Sequence, residues 1–354
     1  MFRQVVFSLL LLLAVLQTGV IGRAAPRRDS VYILKYPGHV HISTGLQNNN
    51  SSILLTDLAT KQTLILNPRQ SEQQFLKVEY RGMAFKYAVS PNYLNPDVSA
   101  ITGKTTRKSF GYGMGLGPLG LDLSYEQSKG YYLSNTASVD SSWRPGKPYI
   151  QFNDLRSILY GLQLSYNVRK RFSESAVYSC RERQLRPSYS FIPTLAINHI
   201  TYIDDGARTD STPVAATRYL DCNAKLLLAG SLPLFRHLQL SAIAGPVIGA
   251  SFVRDWSYDE QRLRNLDDRI TLASLGFFLH TSLSFNSRYW FVGVNSFLEE
   301  YGNNQSGSRL SKEFYGVQVY AGIRFREPKF LKRSTDWVFK RLDDLNPLKP
   351  DPGW

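Results

Sequence analysis

The densest group of side chains that could do chemistry is a set of cations near the middle of the chain. Arginine binds phosphate and carboxylate groups through a planar fork of N–H donors, and lysine binds them as a compact charge. The group therefore predicts a site for anions. Six residues form it: Arg169, Lys170, Arg171, Arg181, Arg183 and Arg186.

Three arrangements of this basic hairpin stay open. Arg181 and Arg183 could face a lumen and form a ladder that makes a pore selective for anions. Arg169 to Arg171 could instead lie in a turn and contact lipid phosphates. Alternatively, the arginines could pair with acidic residues across the lumen and close it. The acidic residues for that network are Asp122, Glu126 and Glu182.

A second candidate, for catalysis, combines a serine and a histidine. His280 and Ser282 are two residues apart, so they share one face of a strand, and His199 and His237 lie on other segments. A serine nucleophile needs a base that a third group orients, and the spacing specifies no such partner. We therefore assign no catalytic residue, and a membrane-embedded lipid hydrolase or acyltransferase is the alternative function. Two cysteines and five scattered histidines specify no metal site, and we expect no cofactor.

Strict alternation of apolar and polar residues predicts the elements that position these side chains. Between Tyr160 and Val168, Tyr, Leu and Val occupy one face, and Gly, Gln, Ser and Asn occupy the other. These segments are long enough for the about 9 to 11 tilted residues that cross a bilayer. The alternation recurs in segments 110–117, 121–126, 238–245, 279–285, 290–295 and 315–325.

The face opposite the apolar one decides the fold class. It carries Gly, Ser, Asn and Gln, which suits a lumen, whereas the outer face of a soluble sandwich would be rich in Lys and Glu. Tyr (21) and Phe (19) are abundant, and the mean hydropathy is −0.24, which does not suit a helical membrane protein. The pattern predicts an all-β antiparallel transmembrane barrel of about 12 strands, within a range of about 10 to 14.

Turn residues predict where the strands are interrupted. The asparagines of Gln47–Asn50 predict a hairpin turn between two opening strands. Turn-rich breaks are expected at Ser134–Pro148, Asp204–Pro213, Trp256–Asp268 and Gly302–Ser311. We expect Cys180 and Cys222 to lie on strands separated by another strand, beyond the about 7 Å that a disulfide bridges, unless they meet across the lumen.

The two ends of the chain differ from the barrel. Residues 1–25 carry Arg3, an apolar run from Val5 to Leu16 and small residues before Ala25, which is typical of a cleaved secretory signal. The barrel is predicted for residues 26–325, followed by a periplasmic tail at 326–354. In that tail, Ser334 could cap a short helix that runs to Leu345, although a loosely ordered tail is the simpler expectation.

Export and charge together predict the location and the partners. An exported barrel belongs in the outer membrane of a bacterial cell, and the formal charge of +14 favours anionic partners. We expect contacts with outer-membrane lipid and with lipopolysaccharide phosphates, and a periplasmic protein partner at the C-terminal tail. Nucleic acid is excluded as a partner by export.

Several short motifs resemble an outer-membrane family of the Bacteroidetes type, the domain-of-unknown-function 4421 family. They are Tyr166–Ser173, Arg183–Ser188, Ser90–Asn92, Gly113–Gly117 and Leu119–Tyr125. The resemblance extends from Tyr32 to Phe325, which is nearly the whole mature chain. It implies a Bacteroidetes-like outer-membrane barrel, and it implies no activity, ligand or catalytic residue. The expected role is therefore non-enzymatic: a structural or assembly component, or a narrow channel that prefers anions.

Overall fold

Antiparallel strands form most of the protein. The structure, a computed structural model, describes residues 31–69, 72–94, 99–205, 216–259, 262–305 and 308–344. The predicted signal therefore lies outside the described residues. The strands are β1 (Ile33–Lys35), β2 (His39–Asp57), β3 (Thr63–Pro68), β4 (Gln73–Tyr80), β5 (Met83–Val89), β6 (Thr106–Leu116), β7 (Leu119–Leu133), β8 (Gln151–Tyr166), β9 (Glu182–Gln184), β10 (Ser188–Asp204), β11 (Ala216–Pro233), β12 (Leu238–Asp259), β13 (Arg262–Asn286), β14 (Trp290–Gln305) and β15 (Ser308–Arg326).

Helices are few in the described part of the chain. They are α1 (Ser99–Thr102), α2 (Glu174–Tyr178) and α3 (Lys329–Asp344). Among these described helices, none has both the length and the apolar character that crossing a membrane requires.

Twelve of the described strands close into one barrel. They pair in the order β2, β4, β5, β6, β7, β8, β10, β11, β12, β13, β14 and β15. The last strand then pairs back with β2 along its whole length, from Arg326 opposite His39 to Ser308 opposite Asp57. The short strand β3 lies outside this cycle and joins β2 to β7 above the shorter strands β4 to β6. The predicted antiparallel barrel of about 12 strands is confirmed.

Polar side chains face the interior of the barrel and apolar side chains face outward, which is the reverse of a soluble protein. In β11, polar residues face the lumen and are buried, and leucines face outward and are exposed. The inward residues are Asp221, Asn223 and Lys225, and the outward ones are Leu220, Leu226 and Leu228. The same exposure is found for Leu195, Val317, Val319 and Ile323 on other strands. An outer wall of this composition is favourable in contact with acyl chains and unfavourable in contact with water.

The two ends of the barrel have different connections. At one end, which we call the turn end, tight connections join the strands at Arg81–Gly82, Gly117–Pro118, Leu234–His237 and Ser287–Tyr289. At the opposite end, the loop end, the connections are longer or the strands extend further. Outer-membrane barrels show this asymmetry, with short periplasmic turns and long extracellular loops.

One predicted turn is wrong, and two predicted breaks are narrower than expected. Strand β2 passes straight through Gln47–Asn50 because β15 pairs with it without a break, so the backbone bonds of the asparagines are already satisfied. The strands change within Trp256–Asp268 and within Gly302–Ser311, as expected, but the β12–β13 and β14–β15 hairpins extend into both ranges. Local turn propensity was overridden there by cross-strand pairing.

The C-terminal segment forms a helix rather than a loosely ordered tail. The helix α3 begins at Lys329, five residues before Ser334, whose hydroxyl donates to the carbonyl oxygen of Phe330 inside the helix. Arg81, in the turn between β4 and β5, pairs with Asp336 at 2.5 Å and with Glu327 at 3.2 Å. These ion pairs tether α3 to the turn end of the barrel.

The outward face provides a test of the membrane-facing wall. Leu195, midway along β10, is 61% exposed, and we expect Leu195→Arg to lower the free energy of unfolding from bilayers by about 2–4 kcal/mol. A solvated surface position would tolerate the change within about 0.5 kcal/mol. Val139→Arg, in the connection between β7 and β8, is the matched control and should be nearly neutral, because Val139 is an exposed apolar residue outside the strands. Urea titration of the reconstituted barrel measures both, and equal small effects would contradict a lipid-facing wall.

The tether of α3 should depend on pH. A hydrogen bond from the Tyr80 hydroxyl and the nearby Arg81 guanidinium hold the pKa of Glu327 below its ordinary value near 4.5. A carboxyl group with a lowered pKa stabilises the folded form above its unfolded pKa, and that stabilisation is lost as pH falls through the lowered value. We therefore expect α3 to undock below pH 4.5. Hydrogen exchange of α3, corrected for its intrinsic pH dependence, should show this step, and Glu327→Gln should remove the step.

Candidate functional site

The connection between β8 and β10 folds into the barrel instead of crossing its rim. We call residues Asn167–Pro187 the plug. Its helix α2 is capped at the N-terminal end by Ser173, whose side chain accepts a hydrogen bond of 3.0 Å from the amide of Ala176. Phe172 and Val177 are buried by inward apolar side chains of β10, β11 and β12. Those side chains are Ile192, Leu227, Ala229 and Ile243.

The far side of the plug contacts the opposite wall. Cys180 is fully buried and packs against inward side chains of β4, β5, β14 and β15, namely Phe75, Ala88, Phe291 and Tyr320. The backbone of Cys180 adopts a φ of 57°, in the left-handed region that non-glycine residues seldom occupy. The plug therefore spans the lumen from one wall to the other.

Two polar side chains of the wall, which we call the latch, hold the backbone of the plug. Arg324 of β15 donates to the carbonyl oxygen of Cys180 at 2.6 Å and to Asn286 Oδ1 at 2.5 Å. Asn286 Nδ2 donates to the carbonyl oxygens of Cys180 at 3.0 Å and of Glu182 at 2.8 Å. Hydrogen bonds that involve a charged donor are the stronger ones, so the latch gives the plug one seated position.

The N-terminal strand covers the plug from below. Strand β1 pairs with β9 inside the plug, with Ile33 opposite Gln184 and Lys35 opposite Glu182. The ring of Tyr36 lies 4.1 Å from the guanidinium carbon of Arg324 and so covers the latch. Gln184 also joins this N-terminal segment to the plug, because its side-chain amide donates hydrogen bonds to the carbonyl oxygens of Arg171 at 2.7 Å and of Tyr32 at 3.2 Å.

Above the plug, the lumen encloses a polar chamber. Two cavities of about 260 Å³ and 130 Å³ share Asp122 and Gln163 as lining residues. The smaller one is bounded by Glu174, Tyr178 and Arg181 of the plug. Towards the loop end, an apolar cluster packs inside the lumen, and its buried members are Ile53, Ile200, Tyr219, Val253 and Leu310. The chamber therefore lies between the plug and this apolar cluster.

Ion pairs between strands cross-link the wall of the chamber. Lys225 of β11 binds Glu299 of β14 at 2.6 Å, and Lys312 of β15 binds Asp221 of β11 at 2.7 Å. Arg107 of β6 pairs with Glu126 of β7. Removing one member of such a buried pair leaves an uncompensated charge, which costs about 3–5 kcal/mol. The charged side chains of the chamber wall are consequently held in place by their partners.

The structure separates the six predicted basic residues into two groups. Arg181 donates to Ser175 Oγ at 2.6 Å inside the plug, and Arg183 contacts His237 Nδ1 at 2.6 Å near the β11–β12 turn. The other four are exposed at the turn end, where Arg169 stacks on Tyr189, and Arg171 and Arg186 flank Tyr32. The expected basic hairpin is thus a plug with a short helix, because buried apolar residues draw its middle into the lumen.

Two of the three acidic residues proposed for the arginine network have other partners. Glu126 pairs with Arg107, and Glu182 lies 3.9 Å from Lys35. Asp122 lines both cavities, and Arg181 lines the smaller one with it. Sequence reasoning missed the latch, although alternation along the last strand already places Arg324 on the lumen face. A cation on that face was the available signal.

The candidate catalytic pair is enclosed within the lumen. The His280 ring lies 4.6 Å from the ring of Tyr178 of the plug and is tilted against it, and neither the Nδ1 atom of His280 nor the Ser282 hydroxyl has a hydrogen-bond partner among the described residues. His199 contacts Tyr160, and His237 lies beside Arg183. Both cysteines are free, Cys180 in the plug and Cys222 on β11. Among the residues that the structure describes, no group of His, Cys, Asp and Glu is placed to hold a metal ion.

Comparison with known proteins gives one family. A family described as "Domain of unknown function (DUF4421)" matches residues 27–325 of the chain. No curated protein matches the chain.

Solved structures with a similar arrangement of strands are distant. The outer membrane protease OmpT from Escherichia coli is 12% identical with a TM-score of 0.33, and the match covers 82% of this chain and 97% of that one. The Pseudomonas putida toluene transporter TodX is 8% identical with a TM-score of 0.26, covering 82% and 91%. A Pseudomonas aeruginosa FadL homologue is 9% identical with a TM-score of 0.29, covering 82% and 90%. Similarity at this level transfers no activity.

The latch provides a test of the seated plug. Arg324→Gln removes the charged donor to Cys180, so we expect the plug to loosen and the buried thiol to react faster with a maleimide. Arg326→Gln is the matched control because Arg326 is exposed two residues further along the chain. All variants carry Cys222→Ser, so that only one thiol is counted. Equal reaction rates in the two variants would show that Arg324 does not hold the plug.

Proposed function

The chain belongs to the family described as "Domain of unknown function (DUF4421)", and from that premise we propose a non-enzymatic outer-membrane barrel that is closed at rest. Its role is structural, as an assembly component of a bacterial outer membrane of the Bacteroidetes type. One observation carries the proposal: the plug spans the lumen between opposite walls and is latched there by Arg324 and Asn286.

Location in the membrane is supported by the outer wall. Leucine, valine and isoleucine cover the outward faces of the strands, and exposed aromatic residues lie near the turn end. Aromatic side chains of this kind prefer the boundary between headgroups and acyl chains. The aromatic residues near the turn end are Tyr166, Tyr189, Phe235, Tyr289 and Trp290.

The exposed part of the predicted site suits contact with anionic groups. Arg169, Lys170, Arg171 and Arg186 lie at the turn end, next to the aromatic residues, where lipid phosphates would be within reach. Arginine binds phosphate through two parallel hydrogen bonds, so these residues would fix the depth of the barrel in the membrane. Lipopolysaccharide phosphates would instead lie near the loop end, if the turn end faces the periplasm.

A narrow passage for anions is the second candidate. The polar chamber favours it, because its lining includes amide and basic side chains, such as Gln163, Arg107 and Lys225, that can contact anions once the plug has moved. In this case the resting protein is closed, and displacement of the plug opens it. A lipid-modifying enzyme receives less support, since His280 and Ser282 face the lumen, away from acyl chains.

Bilayer conductance separates these functions. We expect the wild-type protein to give no current steps, because the plug closes the lumen. Replacing residues 169–186 by a short Gly-Ser linker should produce steps that favour anions if the passage exists. Lys170→Gln is the matched control within the plug, and it should remain silent because Lys170 is exposed.

The outcomes are distinct. A steady ion-selective current from the wild-type protein would overturn the proposal that the barrel is closed at rest. Silence of the plug-less variant, when gel mobility shows a folded barrel, would exclude the passage and leave the structural role.

A further inference from the structure

The C-terminal helix α3 presents an exposed aromatic face. Phe330 is 72% exposed and Trp337 is 61% exposed. They are seven residues apart, about two helical turns, so they lie on the same side of the helix. Leu331 and Thr335 are half-buried, which identifies the side that faces the barrel. The aromatic face therefore points away from the protein.

Two exposed cations, Lys329 and Arg333, flank this face in the first part of the helix. Lys332 is also exposed, but it lies on the opposite side of the helix, where its charge acts on Glu327. The acidic residues of the same region, Glu327 and Asp336, are both paired with Arg81 of the barrel. The exposed charge of the described side chains on α3 is consequently positive.

The tether holds α3 along the rim of the barrel. The helix starts three residues after β15 ends at Arg326, and Asp336 is held at the turn between β4 and β5. Strand β2 lies between β15 and β4 in the wall, so α3 passes beneath β2 and β4. The lipid-facing wall ends at this rim with the exposed Phe325.

We propose that α3 is an interfacial helix that lies on the phospholipid headgroups of the membrane leaflet at the turn end. Phe330 and Trp337 enter the boundary between headgroups and acyl chains, and the flanking cations contact phosphates. Helices with this pairing of aromatic and basic residues bind membrane surfaces, more strongly when the lipids are anionic. The inference rests on the membrane location proposed above and adds a second contact with lipid, outside the barrel wall.

Two features favour lipid over a protein partner. The lipid-facing wall ends at the exposed Phe325, only five positions before Phe330, and the positive charge beside the aromatic face is complementary to anionic phospholipid. A helix held at both Glu327 and Asp336 also has its orientation set before any partner arrives. Ordering α3 on the membrane therefore costs little further conformational entropy.

Spin labels on opposite faces of α3 provide the experiment. Ser334 and Lys332 are both exposed and about 200° apart around the helix. Each is replaced by cysteine and labelled in full-length protein that carries Cys222→Ser, in bilayers of phosphatidylethanolamine with phosphatidylglycerol. We expect the spin label at position 334 to collide more often with oxygen, which is concentrated in the bilayer, than with a water-soluble nickel chelate. The spin label at position 332 should show the reverse. A label at Leu195 reports whether the barrel itself faces lipid.

Each outcome bears on the proposal. Loss of immersion at position 334 in the double variant Phe330→Ser, Trp337→Ser, with the Leu195 label unchanged, would support the aromatic anchor. Equal exposure to water at 334 and 332 would overturn it and leave the face to a protein partner. Immersion that does not change when phosphatidylcholine replaces phosphatidylglycerol would overturn the part assigned to the cations. A water-exposed label at Leu195 would instead contradict the membrane barrel.

Discussion

The structure depends on one constraint, which is that backbone N–H and C=O groups facing lipid must be hydrogen-bonded within the protein. An open sheet cannot meet this requirement, because each edge strand leaves a row of unpaired groups. Pairing of β15 with β2 along all 19 residues of each strand closes the cycle and removes the edges. The alternation of the side chains follows from this closure, since every strand then has one face towards lipid and one towards the lumen.

Closure creates an interior that must be filled, and the protein fills it in three ways. Ion pairs such as Lys312–Asp221 link non-adjacent strands across the lumen, an apolar cluster occupies the loop end, and the plug occupies the turn end. Charged pairs are tolerated there because each member is partnered by an opposite charge. The polar chamber is what remains between the plug and the apolar cluster.

The plug is a connection between two strands that lies inside the barrel and occupies the turn end of the lumen. A short turn between β8 and β10 would have left the lumen open, whereas this longer connection places Phe172, Val177 and Cys180 in the middle of the barrel. The latch binds carbonyl oxygens of the plug, so its strength depends little on which side chains the plug carries. Closure of the lumen and exposure of the basic rim therefore result from the same segment.

The sequence by itself determined the fold class, the approximate number of strands and the face on which most side chains lie, because period-two alternation is a local property of each strand. It placed Arg324 on the lumen face and Val317 on the outer face without any knowledge of the neighbours. It failed at Gln47–Asn50, where asparagine favours a turn locally but pairing with β15 keeps the strand extended. Only the tertiary structure decided that Arg181 and Arg183 belong to a plug and that Arg324 holds Cys180, 144 positions away. Contacts between such distant residues depend on how the barrel closes, and no local pattern of residues encodes them.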